Sequence, residues 1–204
     1  MIGAKVMGLA RRDDQRHTYG DYRRWPEDLR YELIDGIAYA MAPAPSLRHQ
    51  DVLGELFRQV ANVLRTGPCR PFIAPFDVRL PRAGEADDQI ETVVQPDLSV
   101  VCDPSRLDER GCRGAPHWVV EVLSPATAGH DLILKRDLYE RAGVQEYWLV
   151  HPVDRVVTAY RLVEGAFGKP EIQELSGRQS VAAVPGLEID WDAFTPVFGE
   201  GQPR

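Results

Sequence analysis

Hydrophobic and polar residues alternate in several short runs of this chain, a spacing that is typical of half-buried strands. Residues 31–41 contain two such runs joined by Asp35-Gly36, a strong turn dipeptide, and therefore predict a β-hairpin. Alternating or continuous apolar runs predict further strands over residues 69–80 (interrupted by Pro75), 95–103, 117–124, 144–152 and 155–162.

Helical spacing appears in three segments. Residues 18–26 predict a short helix, and Ser46 is placed to cap a longer one. A third helix is predicted from about residue 131 to 142, closed by Gly143 at the position after its last turn. The apolar residues of the second helix recur at helical intervals: Val52, Leu53, Leu56, Val60, Val63 and Leu64. Strands combined with helices predict an α/β fold, with a mixed β-sheet flanked by α-helices.

The length of 204 residues is enough for one domain with a substantial core. Residues 1–17 predict a flexible N-terminal arm, and residues 18–204 predict a single domain. No apolar stretch approaches the length that spans a bilayer. The N-terminus also lacks the order of charged and apolar residues found in secretory signals. We therefore expect a cytoplasmic protein with no membrane partner.

The charge balance limits the possible partners. The net charge is −7, so the chain as a whole does not attract nucleic acid. Binding to nucleic acid would have to rest on a local basic patch or on bound metal cations. One candidate patch is a run of arginines, although such a run more usually forms a solvated face: Arg11, Arg12, Arg16, Arg23 and Arg24.

The three cysteines are Cys69, Cys102 and Cys112. Their number is odd and no C-x-x-C pair occurs, so the spacing suggests neither a disulfide framework nor a zinc site. We expect each cysteine to be a small buried hydrophobic residue.

Two carboxylates fall at the ends of neighbouring predicted strands. Asp97 opens the strand over residues 95–103, and Glu121 lies inside the apolar run over residues 117–124. If these strands pair antiparallel, the start of one meets the end of the other and the carboxylates become neighbours. Paired carboxylates in an apolar setting repel each other, and a divalent cation removes that cost. Such oxygen ligands suit Mg²⁺ or Mn²⁺.

Lys135 follows on the third predicted helix. Only three of the 24 basic residues are lysines, and lysine, unlike arginine, can give up its proton. The helical neighbours of Lys135 form a partly apolar face that should lie against the sheet: Asp131, Leu132, Leu138 and Tyr139. The ammonium would then point toward Glu121, where it could orient a water molecule or stabilise negative charge developing on a phosphate.

The chain contains, in this order, QPDLSVV, WVVEVLSP and DLILKRDLYERAGVQEYWLV. This succession resembles the Uma2 family of endonucleases, which belongs to the PD-(D/E)XK nuclease superfamily. YELIDG near the start and VPGLEID near the end also resemble the family, so the likeness covers roughly residues 18–195. The resemblance implies a restriction-endonuclease-like core and metal-dependent hydrolysis of DNA phosphodiester bonds.

The resemblance also implies roles for particular residues. Asp97 and Glu121 would hold the metal, helped by the backbone carbonyl of Val122. The usual lysine of the superfamily would fall two residues after the glutamate, where this chain has Leu123. Lys135 is then interpreted as the migrated lysine, supplied by the following helix. The expected catalytic set is Asp97, Glu121 and Lys135, with Mg²⁺ or Mn²⁺ as cofactor and DNA as substrate.

Three further residues are candidates for auxiliary roles. Glu32, in YELIDG, could reach the site as another acid. His49, near the start of a helix, could contact a phosphate or act as an auxiliary base. Asp77 could face the same cleft. Each of them also has an ordinary structural interpretation, as a surface acid or as a locally satisfied polar residue.

Other interpretations remain open. Glu121 and Lys135 could form a purely structural buried ion pair. The protein could then be a catalytically weak or inactive module with a nuclease fold, one that binds nucleic acid or a protein partner. A hydrolase acting on sugars with two carboxylates would leave Lys135 unexplained. A homodimer is possible, because two sites related by a two-fold axis would cut both strands of a duplex.

Overall fold

The computed structural model describes residues 13–26, 30–41, 46–125 and 128–194. The α-helices in these ranges are α1 (Tyr19–Tyr22), α2 (Leu47–Val63) and α3 (Arg136–Ala142). A π-helical segment, His130–Lys135, runs directly into α3, and 3-10 turns lie at Asp87–Gln89, Pro104–Arg106 and Trp191–Phe194. The strands in the same ranges are β1 (Tyr31–Ile34), β2 (Ile37–Ala40), β3 (Arg70–Ile73), β4 (Val78–Arg79), β5 (Val93–Val94), β6 (Leu98–Val101), β7 (Leu107–Asp108), β8 (Gly111–Arg113), β9 (Trp118–Val122), β10 (Glu146–His151), β11 (Val156–Val163), β12 (Ala166–Phe167), β13 (Glu171–Glu174), β14 (Arg178–Ser180) and β15 (Glu188–Asp190).

Most of the strands form two mixed sheets. The six-stranded sheet has the order β2-β1-β5-β4-β8-β7, with β4 and β8 parallel. The seven-stranded sheet has the order β12-β11-β10-β9-β6-β3, and β13 pairs with β11 as its seventh strand. Within it β9 and β10 run parallel, whereas β6 and β9 run antiparallel. The prediction of an α/β fold with a mixed sheet is confirmed.

The predicted hairpin is also confirmed. Strands β1 and β2 pair antiparallel, with Ile34 opposite Ile37 at the turn. Asp35 and Gly36 have φ angles of 50° and 79°, both in the left-handed region that a type I′ turn requires. The hairpin carries Glu32 into the interior, where this carboxylate is buried.

Helix α2 covers one face of the seven-stranded sheet. Ser46 caps the helix as predicted, because its hydroxyl accepts a hydrogen bond from the His49 backbone N–H at 3.3 Å. The predicted apolar stripe is buried over most of its length, although Val63 at the last turn is exposed. The stripe packs against β9 and β10 in one hydrophobic cluster, which includes Val52, Leu53, Leu56, Val60, Trp118, Val120 and Trp148.

The opposite face of the same sheet meets a second cluster. This cluster joins β9 and β10 to α3 and to the six-stranded sheet, through residues such as Val78, Val94, Val119, Leu138, Tyr139 and Leu149. Side chains alternate between the two faces of a strand. Glu121 therefore shares a face with Val119 and points into the layer that contains α3.

Residues 104–116, for which the sequence predicted no strand, contain the hairpin β7–β8. Strand β8 extends the six-stranded sheet, and the Cys112 N–H donates to the Asp77 carbonyl at 2.9 Å. Gly111 has a φ of 118°, and a Cβ at this position would collide with the same carbonyl. The hairpin was missed because its few apolar residues are dispersed among glycine, proline and arginine.

The prediction that every cysteine is a buried free thiol is wrong for two of the three. Cys69 and Cys102 form a disulfide, although 33 residues separate them along the chain. They face each other because the antiparallel β3–β6 ladder pairs Arg70 with Val101. The next pair outward in this register is Cys69, just before Arg70, and Cys102, just after Val101. Cys112 is buried and free, as predicted.

The predicted arm lies mostly in residues 1–12, outside the described residues. In the part that is described, the His17 N–H donates to the Gly36 carbonyl at 2.8 Å, and Arg16 pairs with Glu91 at 2.7 Å. The arm over residues 1–17 and the single domain over residues 18–204 stay predictions. None of the helices in the described ranges combines the length and the apolarity needed to cross a bilayer.

Two leucines on α2 test this packing. Leu56 is fully buried, whereas Leu47 is 79% exposed. We expect Leu56→Ala to lower the free energy of unfolding by about 2–5 kcal/mol, because it leaves a cavity against the sheet. Leu47→Ala should change it by less than about 0.5 kcal/mol. Urea denaturation of both variants provides the measurement, and equal effects would contradict the assignment of this helix face.

Candidate active site

The register of β6 and β9 brings Asp97 to the end of Glu121's strand. Leu98 pairs with Val120, so Asp97, one residue earlier, lies beside the last residues of β9. The Val122 N–H donates to Asp97 Oδ2 at 2.8 Å, and the Asp97 N–H donates to Glu121 Oε2 at 3.3 Å. The predicted antiparallel pairing is thus confirmed, and it makes the two carboxylates neighbours.

Lys135 reaches this point from the π-helical segment. Its Nζ lies 2.9 Å from Glu121 Oε1 and 3.6 Å from Asp131 Oδ1. Burial lowers the pKa of Lys135, but the surrounding carboxylates, Glu121 foremost, raise it well above the ordinary value. Lys135 therefore keeps its proton at neutral pH. The site contains a permanent ammonium and not a lysine base.

Glu32 closes the other side of the ammonium. Its Oε1 lies 3.0 Å from Lys135 Nζ and accepts a hydrogen bond from the Gln95 backbone N–H at 2.8 Å. Burial opposes ionisation of this carboxyl, but Lys135, the His130 hydrogen bond and the Gln95 N–H hold its pKa at about 2. The Glu32 carboxylate is therefore ionised and fixed in place.

Glu121 is the most constrained carboxylate of the site. It is buried, and its Oε1 accepts hydrogen bonds from both Lys135 Nζ and the Tyr139 hydroxyl, each at 2.9 Å. Burial raises its pKa well above the ordinary range, and repulsion by Asp131 and Asp97 adds to this against the opposing effect of Lys135. Glu121 is thus poised to take up either a proton or a second cation.

His49 approaches from the first turn of α2. Its Nε2 lies 3.0 Å from Asp97 Oδ2, the same oxygen that accepts the Val122 N–H. Burial lowers the pKa of His49, but the hydrogen bond to Asp97 and its charge raise it overall. The other ring nitrogen, Nδ1, is buried and has no hydrogen-bond partner among the described residues. His49 therefore holds Asp97 in one orientation and leaves Oδ1 of that carboxylate free of contacts within the described chain.

Asp77 is not brought into this cluster of acids. Its Oδ1 accepts hydrogen bonds from the Gln95 side chain at 2.8 Å and from the Tyr22 hydroxyl at 3.2 Å. Burial raises its pKa, and these two donors oppose the shift. Among the described residues, Gln95 links Asp77 to the site, because its side chain binds Asp77 and its backbone N–H binds Glu32.

Several residues of the site were missed or misassigned from the sequence. Asp131, predicted at the start of the third α-helix, lies within the π-helical segment, is buried, and faces Lys135. His130, which the sequence did not single out, is also buried, with Nε2 3.5 Å from Glu32 Oε2. In a π-helix the backbone bonds join residues five apart, so His130 and Lys135 come to the same side. Tyr139, which helical spacing placed on the same face as Lys135, donates its hydroxyl to Glu121.

This fold and site define the restriction-endonuclease-like α/β class. A solved structure described as a "putative nuclease belonging to DUF820", from Anabaena variabilis, superposes with a TM-score of 0.69 at 21% sequence identity, covering 89% of this chain and 98% of that one. The restriction-endonuclease-like fold expected from the sequence is thereby confirmed.

The family follows from the sequence matches. The family model Uma2, described as "Putative restriction endonuclease", matches residues 19–192. A Synechocystis protein, "Uncharacterized protein slr1290", is 31% identical over 148 residues, which cover 69% of this chain and 71% of that protein. The chain belongs to the Uma2 family, and family and fold together support a nuclease.

The ammonium at the centre of the cluster can be tested by its effect on stability. We expect Lys135→Met to lower the free energy of unfolding by about 3–5 kcal/mol in metal-free buffer, because it leaves buried carboxylates without their cation. Lys169, a lysine on the exposed surface, provides the matched control, and Lys169→Met should have almost no effect. Urea denaturation with a chelator present measures both. Equal stability of the two variants would contradict the assignment of Lys135 as the cation that neutralises the buried carboxylates.

Proposed function

We propose that this protein is a metal-dependent endonuclease that hydrolyses phosphodiester bonds of DNA. The observation that carries the proposal is the convergence of Asp97 and Glu121 at the end of one strand pair, with a protonated Lys135 at 2.9 Å from Glu121. A pair of carboxylates beside a buried ammonium is suited to holding a cation and a phosphate together.

The charge of the site favours a bound divalent cation. Three carboxylates, Glu32, Glu121 and Asp131, lie within 3.6 Å of the Lys135 ammonium, and a fourth, Asp97, lies beside Glu121. Burial raises the pKa of Glu121, and repulsion by the neighbouring acids adds to the shift. A cation at Glu121 would neutralise the surplus charge.

The donor set suits Mg²⁺ or Mn²⁺, which keep waters in their coordination shell, better than a metal ion whose ligands all come from the protein. Among the described residues, no three His, Cys, Asp or Glu side chains converge on one point. Asp97 binds His49 and the Val122 N–H through Oδ2, and Glu121 Oε2 accepts one weak hydrogen bond from the Asp97 N–H at 3.3 Å. Asp97 Oδ1 and Glu121 Oε2 are therefore the expected ligand atoms. Mg²⁺ is commonly held by one or two carboxylates, with waters and substrate phosphates completing its shell. Two carboxylates therefore suffice.

The Val122 carbonyl is the expected third ligand. The N–H and C=O groups of a strand residue point to the same side of the strand. Since the Val122 N–H points to Asp97, we expect its carbonyl to face that side as well. When bound, the cation would withdraw charge from the phosphate and favour ionisation of a nearby water molecule.

The protein's own groups would then position the reactants. Lys135, held between Glu121 and Glu32, presents a fixed positive charge that stabilises the charge developing on the phosphate. His49 acts as a positioning residue, because it fixes the orientation of the Asp97 carboxylate. Both carboxylates and the ammonium are held before substrate arrives, so little reorganisation is needed.

A second candidate function has its own supporting observation. Glu121 Oε1 is already satisfied by Lys135 and by the Tyr139 hydroxyl, as a purely structural ion pair would be. The protein would then be a nuclease-fold module that binds nucleic acid or a protein partner without cleaving it. Metal binding separates the two functions, because the structural pair has no need of a cation.

Metal binding and cleavage should fail together when a carboxylate is removed. We expect the wild-type protein to bind Mn²⁺ in a calorimetric titration and to nick plasmid DNA. Asp97→Ala and Glu121→Ala should lose Mn²⁺ binding, and nicking should fall by at least about 100-fold. Glu174→Ala, at an exposed acid on β13, is the matched control and should behave as wild type. A folded wild-type protein that binds no Mn²⁺ would favour the binding module, and normal nicking by Glu121→Ala would exclude the proposed site.

Substitution of Lys135 should affect metal binding and cleavage differently from substitution of the carboxylates. We expect Lys135→Gln to bind Mn²⁺ at least as tightly as wild type, because a competing positive charge is gone. Nicking should nevertheless fall by about 100- to 1,000-fold, since the phosphate loses its fixed cation. Calorimetry and the nicking rate at saturating Mn²⁺ give the two readouts. A variant that loses the metal and keeps its fold would assign Lys135 to organising the ligands instead.

A homodimer is part of the same proposal. One such site cuts one strand, so cleavage of both strands of a duplex would be served by two copies related by a two-fold axis. Sedimentation of the protein alone and with DNA would measure its oligomeric state.

A further inference from the structure

A pocket of about 320 Å³ opens beside the candidate active site. Its lining includes two aromatic rings, Tyr22 and Trp25, two arginines, Arg23 and Arg30, and the amide side chain of Gln95. The volume lies at the lower end of the range of about 300–1,000 Å³ typical of small-ligand pockets. The pocket can therefore take one group about the size of a small ligand, but not a folded element.

Gln95 connects the pocket to the site. Its backbone N–H donates to Glu32 Oε1 at 2.8 Å, and it lies two residues before Asp97. Its side chain faces the pocket, where Oε1 accepts from Arg30 Nη2 at 3.0 Å and Nε2 donates to the Tyr22 hydroxyl at 3.2 Å. A chain bound at Asp97 could thus continue into the pocket after a very short distance.

The described basic residues of the pocket favour an anion. Arg23 and Arg30 are both exposed, and no acidic residue is among those that line the pocket in the described chain. Asp88 engages one nitrogen of Arg23, at 3.1 Å, and Arg30 meets the neutral amide of Gln95. Guanidinium groups placed in this way suit phosphate oxygens.

The neighbouring depression on the other side of Gln95 has the opposite character. It has a volume of about 390 Å³ and includes Asp77, Asp108 and Glu109, with Arg110 as its one basic residue in the described chain. A polyanion would be repelled there. The strand of a nucleic acid would therefore be directed into the arginine-lined pocket.

The rings of the pocket are placed to stack on a flat group. Trp25 is half-buried and lies 5.6 Å from Tyr22 in an edge-to-face arrangement, at 61°. The other three tryptophans, Trp118, Trp148 and Trp191, are buried in the core. Trp25 is therefore the tryptophan that a bound ligand can reach.

We propose that this pocket holds an unstacked nucleotide of the substrate strand, next to the phosphate that is cleaved. The proposal rests on the proposed nuclease function and adds a substrate class, DNA that contains unpaired nucleotides. A duplex keeps its bases stacked and presents only their edges, whereas an unpaired nucleotide exposes a face that an aromatic ring can cover. The arginines bind the phosphate of the same nucleotide. Because the chain carries a net charge of −7, such local contacts decide where nucleic acid binds.

The test measures binding without metal, so that cleavage plays no part. A labelled single-stranded oligodeoxynucleotide and the duplex of the same sequence are titrated into the full-length protein in a chelating buffer. We expect the single strand to bind more tightly and to quench the fluorescence of Trp25, which Trp25→Phe should abolish. Trp25→Ala should weaken single-strand binding by about 5- to 150-fold, the range expected for the loss of one base-stacking contact. Arg30→Ala should also weaken it, because a charge-assisted contact to the phosphate is lost.

Two controls keep the result interpretable. Trp25 contacts the rings of His17, Tyr22 and Tyr31, so Trp25→Ala can disturb folding. Trp25→Phe, which keeps a ring, and Arg30→Ala, which changes an exposed residue, test the pocket without that risk. Arg178→Ala removes an exposed arginine from the β14–β15 sheet and should leave binding unchanged.

The outcomes separate this proposal from the nuclease function. Equal binding of single strand and duplex, or unchanged single-strand binding by the folded Arg30→Ala variant, would overturn the pocket assignment even if the wild-type protein cleaves DNA. Single-strand binding that depends on Trp25 and Arg30 in a protein that cleaves nothing would uphold the pocket and reject the nuclease. Preferential cleavage of gapped over fully paired DNA, lost in Arg30→Ala, would support both.

Discussion

The arrangement of this site depends on one buried ammonium. Lys135 Nζ lies within 3.6 Å of carboxylates from three separate parts of the chain, Glu32 on β1, Glu121 on β9 and Asp131 in the π-helical segment. Buried carboxylates without a cation would each cost several kcal/mol in desolvation. The ammonium therefore ties the hairpin, the central sheet and the helix together. It does not balance their charge, since Asp97 adds a fourth carboxylate nearby. The divalent cation of the proposed function would neutralise the surplus.

The layers of the fold explain why this polar cluster survives inside a hydrophobic core. Strand β9 is covered by α2 on one face and by α3 with the six-stranded sheet on the other. Glu121 projects into the second layer near the end of β9. At this point the β6–β9 ladder ends, and Asp97 precedes the first residue of β6. Backbone and side-chain donors therefore replace water around the carboxylates. Val122, Tyr139 and Gln95 each supply a hydrogen bond to one of them.

Gln95 connects the acid cluster to the neighbouring pocket. One residue binds the acid cluster with its backbone and shapes the neighbouring pocket with its side chain, where it meets Arg30 and Tyr22. The run of arginines near the N-terminus does not form one basic patch in the described chain. Arg16 is paired with Glu91, whereas Arg23 lines the pocket. In the proposed function, the basic contribution to substrate binding would thus be local, in keeping with the acidic net charge.

The sequence by itself determined what short-range patterns encode. The turn dipeptide Asp35-Gly36 defined a hairpin, and the positions of Asp97 and Glu121 on their predicted strands made them neighbours on the condition that β6 and β9 pair antiparallel, as they do. Only the tertiary structure decided which distant groups share a space. It paired Cys69 with Cys102 across a strand ladder and moved Asp77 out of the acid cluster. It also turned the start of the third helix into a π-helix, which brought His130 and Asp131 inward with Lys135. One physical reason is that helical spacing in a sequence assumes α-helical geometry, which a π-helix does not follow. The other is that the ammonium is stabilised by carboxylates that are distant in sequence, so no local pattern predicts their contact.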